Sequence, residues 1–143
     1  MLVIFSSCEK RYSAEIQKLE LTPAQKIVGK YKMTGVTSTN SVTNIIKDVF
    51  TDNPCNVAQT LEFTDNGQMI TFYPVGNCAP TTQTNTYVLS ADNKAILITT
   101  ASNNDTLTLI ELTESLLKFS VVGVDNSGTS PVPVIYRFNY RKF

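Results

Sequence analysis

The chain contains no histidine and no tryptophan, and its 143 residues include only three cysteines. Without histidine, the usual Ser-His-Asp triads and the most common metal-ligand sets are absent. Acidic and basic side chains balance at twelve each, and no block of Lys or Arg is longer than two. The positive footprint of a nucleic-acid-binding protein is therefore lacking. We expect no enzymatic activity, no cofactor, no metal and no nucleic-acid partner.

Long apolar runs are also scarce, and the first one, residues 2–5, is far below the ~20 residues that span a bilayer. It is followed by two serines and a cysteine, and the string "FSSC" at 5–8 is similar to the lipobox of bacterial lipoproteins. In that motif the cysteine receives a diacylglycerol and the preceding peptide is removed. We therefore predict a signal remnant at 1–7, lipidation of Cys8, and a charged tether at 8–21. The alternative is a frayed tail with an incidental cysteine.

The rest of the sequence is typical of β-structure after one short helix. Thr22 suits a helix N-cap and Pro23 the first helical position, which predicts a helix at 23–28. Short runs rich in Val, Ile, Thr, Tyr and Phe then alternate with Asp, Asn, Gly and Ser clusters. Asn66-Gly67 suits a type I′ hairpin turn. The predicted strands are 30–38, 59–64, 68–74, 84–90, 94–100, 106–112, 116–123 and 134–142.

Alternation within these runs places apolar side chains on one face and polar ones on the other, as in an antiparallel sheet with one buried side. Tyr136, Phe138 and Tyr140, for example, alternate with polar residues. Closing eight such strands hides the apolar face and both edges. The predicted fold is therefore all-β, an eight-stranded antiparallel up-and-down barrel with a short N-terminal helix. Residues 39–58 are too long for a tight turn and predict a short helix or lid at the barrel mouth.

Several stretches carry a family resemblance over about residues 26–143: "IVGKYKMTGVT", "LEFTDNGQ", "YVLSADNKAILIT" and "TLTLIELTESLLKFS". The chain resembles the lipocalin-like domains that follow lipobox signals in lipoproteins of Gram-negative, Bacteroidetes-type bacteria. Tyr31 stands where many lipocalins carry Trp in their first strand. The resemblance implies a lipocalin-like barrel domain at 22–143 with an open end and a small cavity. It also implies an outer-membrane lipoprotein of the cell envelope, facing the periplasm or the cell surface.

Two function hypotheses follow, and both remain open at this point. In the first, the barrel binds a small apolar ligand, although a barrel of this size can also fill its interior with side chains. In the second, it is an interaction or structural module of the envelope that contacts a protein through an apolar patch at Ile45, Ile46 and Phe50. The candidate ligand-lining residues are the aromatic side chains Phe63, Phe72, Tyr87, Phe119, Tyr136, Phe138 and Tyr140.

The remaining two cysteines, Cys55 and Cys78, lie in turn-like contexts, and an exported domain meets an oxidising compartment. We predict a disulfide between them that fastens the 39–58 insertion to the barrel. A structural zinc site is not expected, because two thiols without histidine supply too few ligands. The alternative to the disulfide is therefore two free buried thiols. Asp105-Thr106-Leu107 resembles the Asp-Thr-apolar acceptor for O-glycosylation in some of these bacteria, which makes Thr106 a weak candidate for modification.

Overall fold

In the computed structural model, which describes residues 20–75 and 78–143, the chain forms a closed antiparallel barrel behind one short helix. Within these residues, no helix has the length and apolar character needed to cross a membrane. The helix is α1 (Pro23–Ile27), and a 3-10 helix spans Pro54–Ala58. The strands are β1 (Gly29–Asn40), β2 (Ile46–Asp48), β3 (Thr60–Phe63), β4 (Gln68–Val75), β5 (Ala79–Leu89), β6 (Ala95–Thr99), β7 (Asn104–Leu112), β8 (Leu116–Asp125) and β9 (Val132–Lys142).

The predicted start of α1 is confirmed, because Thr22 and Gln25 form a capping box. The Thr22 hydroxyl accepts a hydrogen bond from the Gln25 backbone N–H at 3.3 Å. The Gln25 side-chain oxygen in turn accepts from the Thr22 backbone N–H at 2.9 Å. Gly29 then turns the chain into β1 with φ of 145°, where a Cβ would meet the Lys142 side chain at 2.8 Å. The positive φ favours glycine at this position, and any larger residue would also displace the Lys142 side chain.

Consecutive strands from β3 to β9 pair as hairpin neighbours, and β9 pairs with β1 to close the barrel. Strands β2 and β3 both pair with β1, but at opposite ends: β3 with residues 29–32 and β2 with residues 37–39. These two short strands therefore share one position in the wall. The circuit has eight positions, which confirms the predicted eight-stranded antiparallel barrel.

The prediction of a type I′ turn at Asn66-Gly67 is wrong. Of these two residues, only Gly67 has positive φ, at 79°. The Gly67 N–H donates to the Thr64 carbonyl at 3.3 Å, so the turn spans Asp65 and Asn66 before the glycine. The Thr64 N–H donates to the Gln68 carbonyl at 2.9 Å and closes the hairpin. The glycine provides the left-handed residue that ends the turn, instead of occupying its centre.

The apolar core fills the barrel from its helix-covered end towards the middle. Its members are the inward-facing apolar side chains and one residue of α1, namely Ile27, Tyr31, Met33, Val36, Leu61, Phe63, Met69, Ile96, Ile98, Leu107, Leu117, Phe119 and Tyr140. The 39–58 insertion differs from its prediction in part. It contains the expected short helix, as the 3-10 helix, and also β2, which the sequence reading did not predict.

Candidate functional site: the barrel cavity and its lateral notch

The end of the barrel beneath α1 is closed by packed aromatic rings. Phe63 lies edge-on against Tyr31 and Tyr87, with ring centroids 6.2 Å and 4.8 Å apart. The Tyr87 hydroxyl donates to the Thr64 carbonyl at 2.9 Å, which ties the ring to the neighbouring hairpin. Phe63 and Tyr87 therefore pack the interior at this end of the barrel.

The same end satisfies the last carbonyl groups of α1 with side chains from two strands. The buried Tyr31 hydroxyl lies 3.0 Å from the Lys26 carbonyl and 2.9 Å from that of Ile27. The Lys142 ammonium donates to the carbonyls of Lys26 at 2.8 Å and Val28 at 2.7 Å. Loss of solvent around Lys142 lowers its pKa, and burial raises the pKa of Tyr31. Helix ends that are buried need such partners, so the closed end is held firmly.

Beyond the packed rings the interior contains a cavity of about 200 Å³. Phe119 stacks on Phe138 and on Tyr140, with centroids 5.2 Å and 5.7 Å apart, and these rings form one wall. The amide of Gln59 donates to the Tyr140 hydroxyl at 3.2 Å, and burial raises the pKa of that phenol. The cavity is lined by Gln59, Leu61, Met69, Thr71, Ile98, Leu107, Phe119, Val121, Phe138 and Tyr140.

The cavity opens sideways because neighbouring strands of the wall are not paired along their whole length at the open end. β5 pairs with β6 only over residues 86–89, so residues 79–85 extend beyond the end of β6. β7 and β8 pair only from Thr108 and Ser120 towards the closed end, so residues 104–107 of β7 and 121–125 of β8 have no partner across this boundary. The wall therefore has a gap where β5 extends beyond β6 and where β7 and β8 separate. We call this gap the lateral notch; its space of about 620 Å³ shares five lining residues with the cavity.

The lateral notch is polar where the cavity is apolar. Gln83 pairs with Thr71 and Asn85 with Met69, so both amides share the inward face with residues that line the cavity. Asp105 pairs with Ile98, another cavity residue, and lies on the same face. All three side chains line the notch together with the hydroxyl of Thr71. A ligand passing through the notch therefore meets amide, hydroxyl and carboxylate groups before the apolar interior.

The insertion lies at the same open end and is fastened there by the predicted disulfide. Cys55 and Cys78 are bonded, which confirms the prediction. Cys55 is buried, and Phe50 packs partly against the core. The side-chain amide of Asn56 donates to the Phe50 carbonyl at 2.9 Å, which holds the 3-10 helix against the loop before it. The disulfide thus links this loop to the start of β5.

The predicted aromatic set divides between three locations. Phe119, Phe138 and Tyr140 line the cavity, and Tyr136 is half-buried with its ring 6.4 Å from that of Phe138. Phe63 and Tyr87 belong to the closed end, as described above. Phe72 is a correction: it pairs with Thr60 and Thr82 on the outer face and is 37% exposed, because Thr71 occupies the inward position beside it.

The other predicted sites do not gather around the cavity wall. Thr106 is exposed on β7 and lines the outer part of the notch, where its modification stays a prediction. Cys8 lies outside the described residues. Within the part of the chain that is described, no three His, Cys, Asp or Glu side chains are grouped to hold a metal ion.

Sequence reasoning missed the polar lining of the site: Gln59, Thr71, Gln83, Asn85 and Asp105. The signal for Asn85 was present in the alternation, since it lies in step with the inward-facing Tyr87 and Leu89 of its own strand. Thr71 carried no such signal, because both faces of β4 contain apolar side chains. A polar residue at an inward position is a departure from the pattern that marks a lining group.

Eight-stranded up-and-down barrels with room for one small ligand are the architecture of the lipocalin class. The model of the lipocalin-like domain family matches residues 27–119, so the chain belongs to that family. Its fold is similar to a lipocalin-like protein from Bacteroides uniformis, with a TM-score of 0.52 and 14% identity over 82% of this chain and 99% of that one.

Two bovine structures show the same fold. One is an odorant-binding protein in complex with a selenium-containing odorant, with a TM-score of 0.50 and 14% identity over 91% of this chain and 78% of that one. The other is the lipocalin allergen Bos d 2, with a TM-score of 0.51 and 15% identity over 86% of this chain and 76% of that one. No curated protein matches the chain significantly by sequence. At these identities the likeness shows the fold and nothing finer.

Proposed function

We propose that the protein binds a small apolar or amphipathic ligand, with its apolar part in the cavity and access through the lateral notch. The observation that carries this proposal is the continuity of the cavity with the notch through shared lining residues. At about 200 Å³ the cavity is smaller than the ~300–1,000 Å³ typical of drug-sized ligands. A short alkyl chain or a single ring therefore suits it.

Methionine methyl NMR tests this proposal directly. Met69 lines the cavity, whereas Met33 is buried in the core without lining it. Addition of 1-octanol should shift the Met69 methyl signal in a saturable way and leave that of Met33 nearly unchanged. The substitution Val121→Phe, which fills the cavity, should weaken binding about tenfold or more because overpacking excludes the ligand. Val88→Phe is the matched control, since Val88 lies on the outer face.

A melting curve for each variant establishes that it is folded before binding is compared. Equal shifts of Met69 and Met33, or no saturable shift at all, would contradict a ligand site in the cavity. Undiminished binding by folded Val121→Phe would place the ligand elsewhere.

We also propose the lipid anchor and the envelope location that the sequence indicates: removal of residues 1–7, acylation of Cys8, and a tether over 8–21 that holds the barrel at the outer membrane. The support is the "FSSC" string and its similarity to a lipobox. Mass spectrometry of the protein from its native membrane should find a diacylglycerol-modified Cys8 as the first residue. An unmodified chain that still begins at Met1 would contradict the proposal, and Cys8→Ser is the control.

A second candidate function is contact with an envelope protein through the insertion. Val42, Ile45 and Ile46 are 73%, 56% and 65% exposed, which favours an apolar contact surface. Phe50 does not belong to it, since it packs partly against the core. A photo-crosslinking residue at position 46 should capture a defined partner in native cells, whereas the same residue at position 88 should not. Identical products at both positions, or none, would count against this function.

A further inference from the structure

The charge of the residues along the ligand path selects between classes of amphiphile. Asp105 is the one ionisable carboxylate among the described residues that line the notch and the cavity, and none of these carries a positive charge. Among the described residues, no cation lies within ion-pair distance of Asp105. The negative charge at the notch is therefore left uncompensated by the protein.

The strand register places a polar notch residue next to each of two cavity residues. Asp105 and Ile98 are directly opposite each other on β7 and β6, as are Asn85 and Met69 on β5 and β4. In each pair one partner is a polar notch residue and the other lines the apolar cavity. Ile98 and Met69 are buried, whereas Asp105 is exposed and Asn85 half-buried. A ligand with its tail against Ile98 and Met69 can therefore hold its head group beside Asp105 and Asn85.

A carboxylate or phosphate head at this position would be repelled by the like charge of the exposed Asp105, with no described cation within ion-pair distance to offset the repulsion. A neutral hydroxyl head can donate to the Asp105 carboxylate or to the Asn85 amide oxygen. An ammonium head can in addition form an ion pair with Asp105. We propose that the site takes uncharged or cationic amphiphiles and discriminates against anionic ones such as fatty acids. This inference rests on the proposed function of the cavity.

The test compares three eight-carbon ligands with the same tail: octylamine, 1-octanol and octanoate, each at neutral pH and followed by the Met69 methyl signal. Octylamine should bind about tenfold more tightly than octanoate. An exposed charge pair strengthens the binding of octylamine up to about fivefold, and repulsion from Asp105 weakens the binding of octanoate, so both effects increase the preference. The preference should decrease as salt is raised. Asp105→Asn should reduce it to about twofold, and Asp105→Lys should reverse it.

Glu114→Gln is the matched control, because it removes one negative charge from the hairpin at the closed end and should leave the preference unchanged. The failures of the two proposals are distinguishable. If none of the three ligands shifts Met69, the cavity does not bind ligand. If all three shift it and octanoate binds as tightly as octylamine, the cavity binds ligand and the charge selection is wrong.

Discussion

Removal of the Cys55–Cys78 disulfide tests how the insertion is held over the open end of the barrel. The two cysteines are 23 residues apart in sequence, and their bond closes a loop that contains β3 and β4. In the chain-entropy treatment a loop of this length stabilises the folded state by about 3 kcal/mol. For a chain of this size that corresponds to a melting temperature lowered by about 6–12 °C in Cys55→Ala/Cys78→Ala. Hydrogen exchange should rise most in the 3-10 helix Pro54–Ala58, which carries Cys55.

The assay is thermal unfolding followed by circular dichroism, in a Cys8→Ser background so that no third thiol exchanges with the pair. Reduction of the parent protein with dithiothreitol provides an independent route to the same state and should give the same melting temperature as the double variant. A change below about 2 °C would refute the loop-closure reasoning. A large fall in melting temperature, with hydrogen exchange increased evenly over the barrel, would show that the bond stabilises the whole fold and not the insertion.

Three further perturbations test the closed end, the cavity wall and a turn. Tyr31→Phe removes the hydroxyl near two α1 carbonyls and should cost about 1–3 kcal/mol in urea unfolding, while Tyr136→Phe, whose hydroxyl has no described partner, should cost less than about 0.5 kcal/mol. Burial raises the pKa of Tyr140 above its usual value of about 10. The folded state therefore favours the neutral phenol, and the stability that this phenol contributes is complete below about pH 10 and is lost as the pH rises further. Tyr140→Phe should therefore show a shallower loss of unfolding free energy above about pH 10 than the parent; an unchanged slope would contradict burial as the cause. Gly67→Ala places a side chain at φ of 79° and should cost about 1 kcal/mol by thermal unfolding; a neutral result would mean that the turn rearranges.

The strand pattern and the barrel could be predicted because they depend on local chemistry. The alternation of apolar and polar residues indicates the two faces of a strand, and turn residues mark where the strand ends. Once eight strands with one apolar face follow each other through short connections, closure hides both edges. The disulfide between Cys55 and Cys78 could also be predicted, because both cysteines lie in turn-like contexts in a domain expected to be exported. The helix start at Thr22 and Pro23 depends on adjacent residues only.

The cavity and the notch could not be predicted in the same way, because they depend on pairing between strands. The notch exists because β5 extends beyond β6 and because β7 and β8 do not pair beyond Thr108 and Ser120. The sequence of one strand does not show where pairing with its neighbour ends. The misplacement of Phe72 has a related cause: in β4 both faces carry apolar side chains, so alternation does not indicate which one is inside. Its partners Thr60 and Thr82 settle the question only after the strands are paired.

If the cavity binds ligand as proposed, the two ends of this barrel separate stability from binding. At the closed end Tyr31 and Lys142 satisfy the carbonyl groups of α1, and aromatic rings pack the interior, so that end contributes packing and hydrogen bonds. At the open end neighbouring strands of the wall are not fully paired, and the polar residues around Asp105 face solvent with few structural partners. Substitutions at the notch should therefore change ligand preference at little cost in stability, as expected where a rigid scaffold supports a variable rim. The chemistry of the ligand can change in this fold by exchange of a few rim residues, while the closed end keeps the barrel intact.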